Sequence, residues 1–169
     1  MSLRTIQIPE GRRLYPIVLE QEKAARIQAF THETAWDLGV RAVSLAKNIY
    51  RRSIAVHVFW DGYIIFSYSM DGCDAQNERW ISGKQNAAAA AQCSSLLAAL
   101  RYSAAELPHC AWEQDVDYLL CGGSFPLRLT SGECRGFVTV SGMSHEQDHQ
   151  LAADAVAGVF HLDAPSILR

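Results

Sequence analysis

The chain has 169 residues, of which 49% are hydrophobic and 20% charged, a balance that places it among ordinary globular proteins and excludes a disordered or fibrous one. Fifteen Lys and Arg stand against eighteen Asp and Glu, for a net charge of −3, and no basic stripe is present to neutralise a run of phosphates, so a nucleic-acid partner is excluded. The five cysteines Cys73, Cys93, Cys110, Cys121 and Cys134 are odd in number and form no C-x-x-C pair, which excludes a disulfide framework and a cysteine-based zinc site and fits reduced thiols in the cytoplasm.

At this length one domain over 1–169 is expected, burying roughly 70% of the unfolded chain's surface. The opening "MSLRTIQIPEGRRLYPIV" alternates polar and apolar residues and lacks the continuous apolar region of a secretory signal. The apolar run around Ala87 to Ala91 is far short of the ~20 residues of a membrane span, so no membrane partner is expected.

"FTHETAWDLGVRAVSLAKNIYRR" predicts a helix capped by Thr31, with Glu33 in its first turn and Trp36, Val40, Val43 and Tyr50 recurring at helical spacing toward a sheet. "SIAVHVFW" and "YIIFSYSM" are β-rich runs joined by Asp61-Gly62, a pair suited to a hairpin turn in which both central residues have φ > 0. Residues 75–106 form a long helical pattern with a break expected at Ser82-Gly83 and an end at Pro108. "YLLCGGSFPLRL" enters a glycine turn and a strand, and "GFVTVSG" returns across Ser131-Gly132 as a second hairpin. A last helix starts at Ser144, where S-x-x-Q resembles a capping box and Glu146 and Asp148 suit the helix dipole. Helices alternating with hairpins predict an α+β fold with an antiparallel sheet.

His145-Glu146-Gln147-Asp148-His149 reads as H-E-x-x-H, in which two His at i and i+4 bind zinc and the Glu acts as base. A third ligand is missing at any recognised spacing: no Glu follows Glu146, Ala155 occupies the metzincin position, and Asp154, His161 and Asp163 are misplaced. A polar helix N-terminus is the better reading, and no metal site is assigned. His145, Asp148 and His149 share a face and could chelate an ion in some other way. Gly122-Gly123-Ser124 is neither a P-loop nor a nucleophile elbow, but beside the start of the last helix its N–H groups could receive an anion such as a carboxylate.

The segments "FTHETAWDLG", "DGYIIFSYSMDG", "NERWISGK", "CSSLLAAL", "GGSFPLRL" and "GFVTVSGMSHEQDH" together resemble the haem-degrading-domain superfamily, in particular the branch catalogued as uncharacterised protein family 0303, over residues 30 to 160. The resemblance implies a profilin-like α+β domain with a central antiparallel sheet flanked by helices, cytoplasmic and homo-oligomeric, with relatives that bind haem or are associated with corrinoid and glycolate pathways. Carried across by motif, Asn77, Trp80, Lys84, Gly122, Gly123, Ser124, Asp148 and His149 form the expected ligand-binding set. Ser82-Gly83 stands where the family has two basic residues, and Cys121 where it has a His, which removes one candidate haem or metal ligand. The expected partners are therefore a small-molecule ligand, such as a tetrapyrrole or a small anion, and further copies of the chain. The alternatives are a haem- or iron-handling enzyme using His149 or Cys121, and a purely structural assembly module.

Overall fold

The computed structural model describes residues 8–103 and 117–168. In chain order they form α1 (Gly11–Ala24), β1 (Arg26–Ile27), α2 (His32–Leu45) continued by a π-helical turn (Ala46–Tyr50), and the strands β2 (Ala55–Trp60) and β3 (Tyr63–Ser69). There follow α3 (Ala75–Ala91), α4 (Ser95–Ser103), β4 (Ser124–Leu129), β5 (Cys134–Ser141) and α5 (His145–Phe160). One sheet of order β1-β4-β5-β2-β3 carries them, antiparallel throughout except that β1 pairs in parallel with β4. The fold is α+β, as expected.

Asp61 and Gly62 both have positive φ, 49° and 91°, so the first hairpin closes as its dipeptide predicts. Val56, Val58, Val138, Val140, Phe125 and Leu127 point to the sheet face covered by α2 and α5 and make the larger core with Leu38, Leu151 and Val156. The opposite face meets α3, and there the row His57, Thr139 and Ser124 is buried and polar, with Ser124 Oγ and Thr139 Oγ1 at 2.9 Å. Buried hydroxyls of this kind stay only where they satisfy each other.

Thr31 caps α2 as expected, through a capping box with Thr34. Its buried face is a correction to the sequence reading: Ala35, Leu38, Gly39, Ala42 and Leu45 face the core, whereas Trp36 is 59% and Val40 45% exposed. The small stripe wins because the helix lies close on the sheet; a Cβ on Gly39 would stand 2.2 Å from the Phe66 ring.

The predicted helix over 75–106 is two helices, and the break is not at Ser82-Gly83. It falls at Gln92, left-handed at φ 55°, after which Ser94 caps α4 by accepting from Leu97 N–H at 3.1 Å. Gly83 is instead a contact point: a Cβ there would lie 2.5 Å from Leu119 Cγ, and its carbonyl accepts from Leu119 N–H at 2.9 Å. Pro108 lies outside the described residues. In an open helix Gly→Ala gains about 1 kcal/mol; here Gly83→Ala is expected to lose roughly 1 to 3 kcal/mol by overpacking. Thermal melts read the difference, with exposed Ser82→Ala as the control that shows no such loss.

α1 and β1 were not predicted. α1 offers only Leu14 and Val18 as buried apolar residues, accompanied by buried Gln21 and Glu22. Glu22 accepts from Ser94 N–H at 2.7 Å, so α1 docks partly by capping α4. Burial pushes the Glu22 carboxyl above its ordinary range, with the Ser94 bonds opposing.

Candidate functional site

α3 is begun by Asp74, whose carboxylate accepts from Gln76 N–H at 2.8 Å while Asn77 Oδ1 accepts from Asp74 N–H at 3.0 Å. Asn77 is thereby a capping residue, and its Nδ2 reaches Ser141 Oγ at 3.4 Å. Trp80 and Lys84 follow on the same helical face at i+3 and i+7. That face looks across a cleft of about 380 Å³ at the end of β5, the turn Ser141–Met143 and the start of α5, with Cys121 and His145 also lining it.

The cleft rests on a buried ion pair. Lys84 Nζ donates to Asp148 Oδ2 at 2.7 Å and to the Val140 carbonyl at 3.0 Å, and both side chains are at most 3% exposed. Asp148 Oδ1 accepts from Met143 N–H at 3.0 Å, tying the β5–α5 turn to the helix. Burial raises the Asp148 carboxyl above its usual value, against the pull of Lys84 and the backbone N–H groups of Met143 and Gly142. With its charge matched by Asp148, Lys84 offers no free cation to an incoming anion.

Gly122 and Gly123 lie beneath this pair and act through close approach. A Cβ on Gly122 would stand 2.1 Å from the His145 carbonyl oxygen, and one on Gly123, at φ +137°, 2.6 Å from the Val140 oxygen and 2.7 Å from Lys84 Nζ. Ser124 is fully buried, its N–H donating to Ser95 Oγ at 3.0 Å and its hydroxyl engaged with Thr139. These three residues shape the floor without lining the cleft.

His149 lies behind it as well. The side chain is fully buried, edge-on to Phe125 at 5.6 Å, and its Nε2 is 2.9 Å from Gln21 Oε1. Because Gln21 Nε2 donates to Gln150 Oε1 and to the Pro165 carbonyl, its oxygen must accept, which assigns the proton to His149 Nε2. Nδ1 is left without a partner. Burial, assisted by His145, pushes the imidazole down to about 3, so it is neutral at ordinary pH. Gln21 of α1 therefore holds the ring, while the Asp148 carboxylate is engaged by Lys84.

His145, which is absent from the ligand-binding set carried across by motif, lines the cleft. Its Nε2 is 2.9 Å from Glu146 Oε1, and its buried Nδ1 has no partner. Burial lowers its pKa, Glu146 opposes, and Lys84 adds to the lowering. Cys121 also borders the cleft but is fully buried, its thiol pushed up to about 11 by burial, and is no thiolate. Among the described residues no three His, Cys, Asp or Glu side chains gather as metal ligands do. Asp74, Gln76, Ser141 and Met143 were missed as lining residues; the one local signal for them is the D-x-x-N cap at the start of α3.

The family model for haem-degrading HbpS-like proteins matches residues 30–157. This chain belongs to the HbpS-like haem-degrading protein family. An uncharacterised family 0303 protein of Yersinia enterocolitica is 31% identical over 150 residues, covering 88% of this chain and 89% of its own. The HbpS-like fold recurs in the crystal structure of Ybr137w, at TM-score 0.71 and 21% identity, over 92% of this chain and 90% of that one. It recurs also in a PduOC:haem complex, at TM-score 0.65 and 19% identity, over 80% and 98%. No helix among the described residues of this HbpS-like chain is long and apolar enough to cross a membrane.

Proposed function

We propose that this chain is a single-domain, cytoplasmic, homo-oligomeric binding protein that takes a planar ligand of the tetrapyrrole class in the cleft between α3 and α5. The observation that carries the reading is the His145 ring among the cleft's lining residues, its buried Nδ1 without a hydrogen-bond partner. The volume lies toward the small end of ligand pockets, roughly 300 to 1,000 Å³, and suits a ligand that enters edge-first. The indole of Trp80 and the thioether of Met143 offer apolar contact, while Gln76 and Asn77 stand at the polar margin. Membership of the haem-degrading family and the haem complex of a structural neighbour point to the same ligand class.

Haem fits this chain at its iron better than at its carboxylates. His145 and Met143 are the side chains that would hold it, and bound iron would supply redox chemistry there. A small anion is less well served, because Lys84 is neutralised by Asp148. Neither residue of the enzyme alternative is placed for iron, His149 lying behind the cleft and Cys121 being a buried thiol.

Haem titration of the purified protein, followed by its Soret band and by thermal shift, tests the reading. A Soret change and a raised Tm are expected, with His145→Ala weakening binding by at least about tenfold, equivalent to 1.4 kcal/mol, and His149→Gln leaving it within twofold. Absence of both signals with haem overturns the proposal, as does a His145→Ala response equal to that of the wild type. A Tm shift with small carboxylates and none with haem replaces the tetrapyrrole by an anion.

A further inference from the structure

β3 is the outermost strand on its side of the sheet and pairs only with β2 among the described residues. Its sequence YIIFSYS contains no charge, no Pro and no Gly. Natural proteins protect such an edge with charged side chains, Pro or bulges, because an open row of N–H and C=O groups templates another strand. Here the one irregularity, between Val58 and Phe59, lies at the turn end and leaves the rest of the edge regular. Tyr63, Ile64 and Tyr68 are about half exposed.

α2 continues this surface. Trp36 stands edge-on to Phe66 at 5.8 Å, Tyr63 Oη is 3.1 Å from His32 Nε2, and Val40 and Ile49 are exposed further along. Single exposed apolar residues are ordinary, but a contiguous set joined to an open strand edge marks an interaction surface.

We propose that a second copy of this chain covers the β3 edge and the outer face of α2, antiparallel about a two-fold axis passing near Phe66 and Val40. The two sheets join into one of ten strands. This names the interface of the oligomer proposed above and rests on that reading. The distribution of charge selects a second copy as the occupant. α2 opens with exposed Glu33 and Asp37 at the Tyr63 end of the edge. It leads into exposed Lys47, Arg51 and Arg52 at the Ser69 end, where Met70 N–H donates to the Ile54 carbonyl. A two-fold axis reverses one copy against the other, so each acidic end meets the partner's basic end, twice per dimer. The apolar middle then meets itself.

Light scattering on the full chain at micromolar concentration, with far-UV circular dichroism to confirm folding, provides the test. Val40→Glu with Ile64→Lys is expected to reduce the wild-type mass by at least half. Glu33→Lys with Asp37→Lys should weaken association at least tenfold, and adding Lys47→Glu with Arg52→Glu should restore it. Should the apolar pair of substitutions prevent folding, Val40→Cys serves instead, giving a disulfide-linked dimer on oxidation that the wild type does not. A wild-type mass at the 18.7 kDa monomer overturns both the oligomer and this interface. An oligomer indifferent to these variants, with no link through Val40→Cys, overturns the interface alone.

Discussion

Lys84→Met is expected to destabilise the protein by about 3 to 5 kcal/mol, a large part of the 5 to 15 kcal/mol that holds a typical domain together. The substitution keeps most of the apolar stem of Lys84 and removes the ammonium that Asp148 and the Val140 carbonyl share. Asp148, only 1% exposed, is then a buried carboxylate with backbone N–H partners and no counter-charge. Taking away both charges is expected to cost much less, since an apolar pair of similar volume needs no compensation. Lys84→Met combined with Asp148→Leu should therefore recover a substantial part of the loss, and a double-mutant cycle from urea unfolding yields the coupling. Equal losses in the single and double variants would mean that the residues matter by shape alone. Because the pair lies under the cleft, Lys84→Met should also lower haem-induced stabilisation, by loosening the turn that carries Met143 and His145.

The second large effect is acid sensitivity from His149. Its folded-state pKa of about 3 lies far below the ordinary histidine value, so as the pH falls the unfolded chain takes up this proton first. Stability from the neutral ring is complete above pH ~6.5 and is lost progressively from there toward pH ~3, with about 2 kcal/mol gone by pH 5. His145, also lowered, acts in the same direction, while Asp148 and Glu22, both raised, run opposite because the folded state holds their protons more readily. The difference between wild type and His149→Gln, whose amide can still donate to Gln21, isolates the imidazole. Urea midpoints at pH 7 and pH 5 should show the wild type losing about 2 kcal/mol more than the variant. The same loss in both would assign the acid response to other groups.

What could be read from the sequence was local. Thr31, Asp61-Gly62 and Ser144 act within three or four residues of themselves, and each gives the cap or turn its chemistry requires. The fold class followed from those punctuated elements. What was misread depends on distant partners: Gly83 looks like a helix breaker until Leu119 rests on it, and Trp36 looks like a core residue until the small side chains of α2 take the inner face. The site divides in the same way. Asn77, Trp80, Lys84 and Asp148 border the cleft, while Gly122, Gly123, Ser124 and His149 stand behind it. On α3 the helical spacing of Asn77, Trp80 and Lys84 already puts them on one face, whereas on α5 the docking of the helix decides that His145 and Asp148 border the cleft and His149 does not, a choice that periodicity alone leaves open.

The contacts of Gln21 bear on how the chain acquires its structure during synthesis. Its side chain is completed by His149, Gln150 and the Pro165 carbonyl, up to 144 residues downstream, and Gln150 Oε1 also accepts the Ile167 N–H. A ribosome adding about 5 to 20 residues per second delivers those partners many seconds after α1 has emerged. Until then α1 can bury Leu14 and Val18 against α4 alone, with the Gln21 amide unmatched, and a helix of this length is marginal in water without its full packing. Nascent chains arrested before Pro165 should consequently leave α1 open to protease, and release of the longer chain should close it.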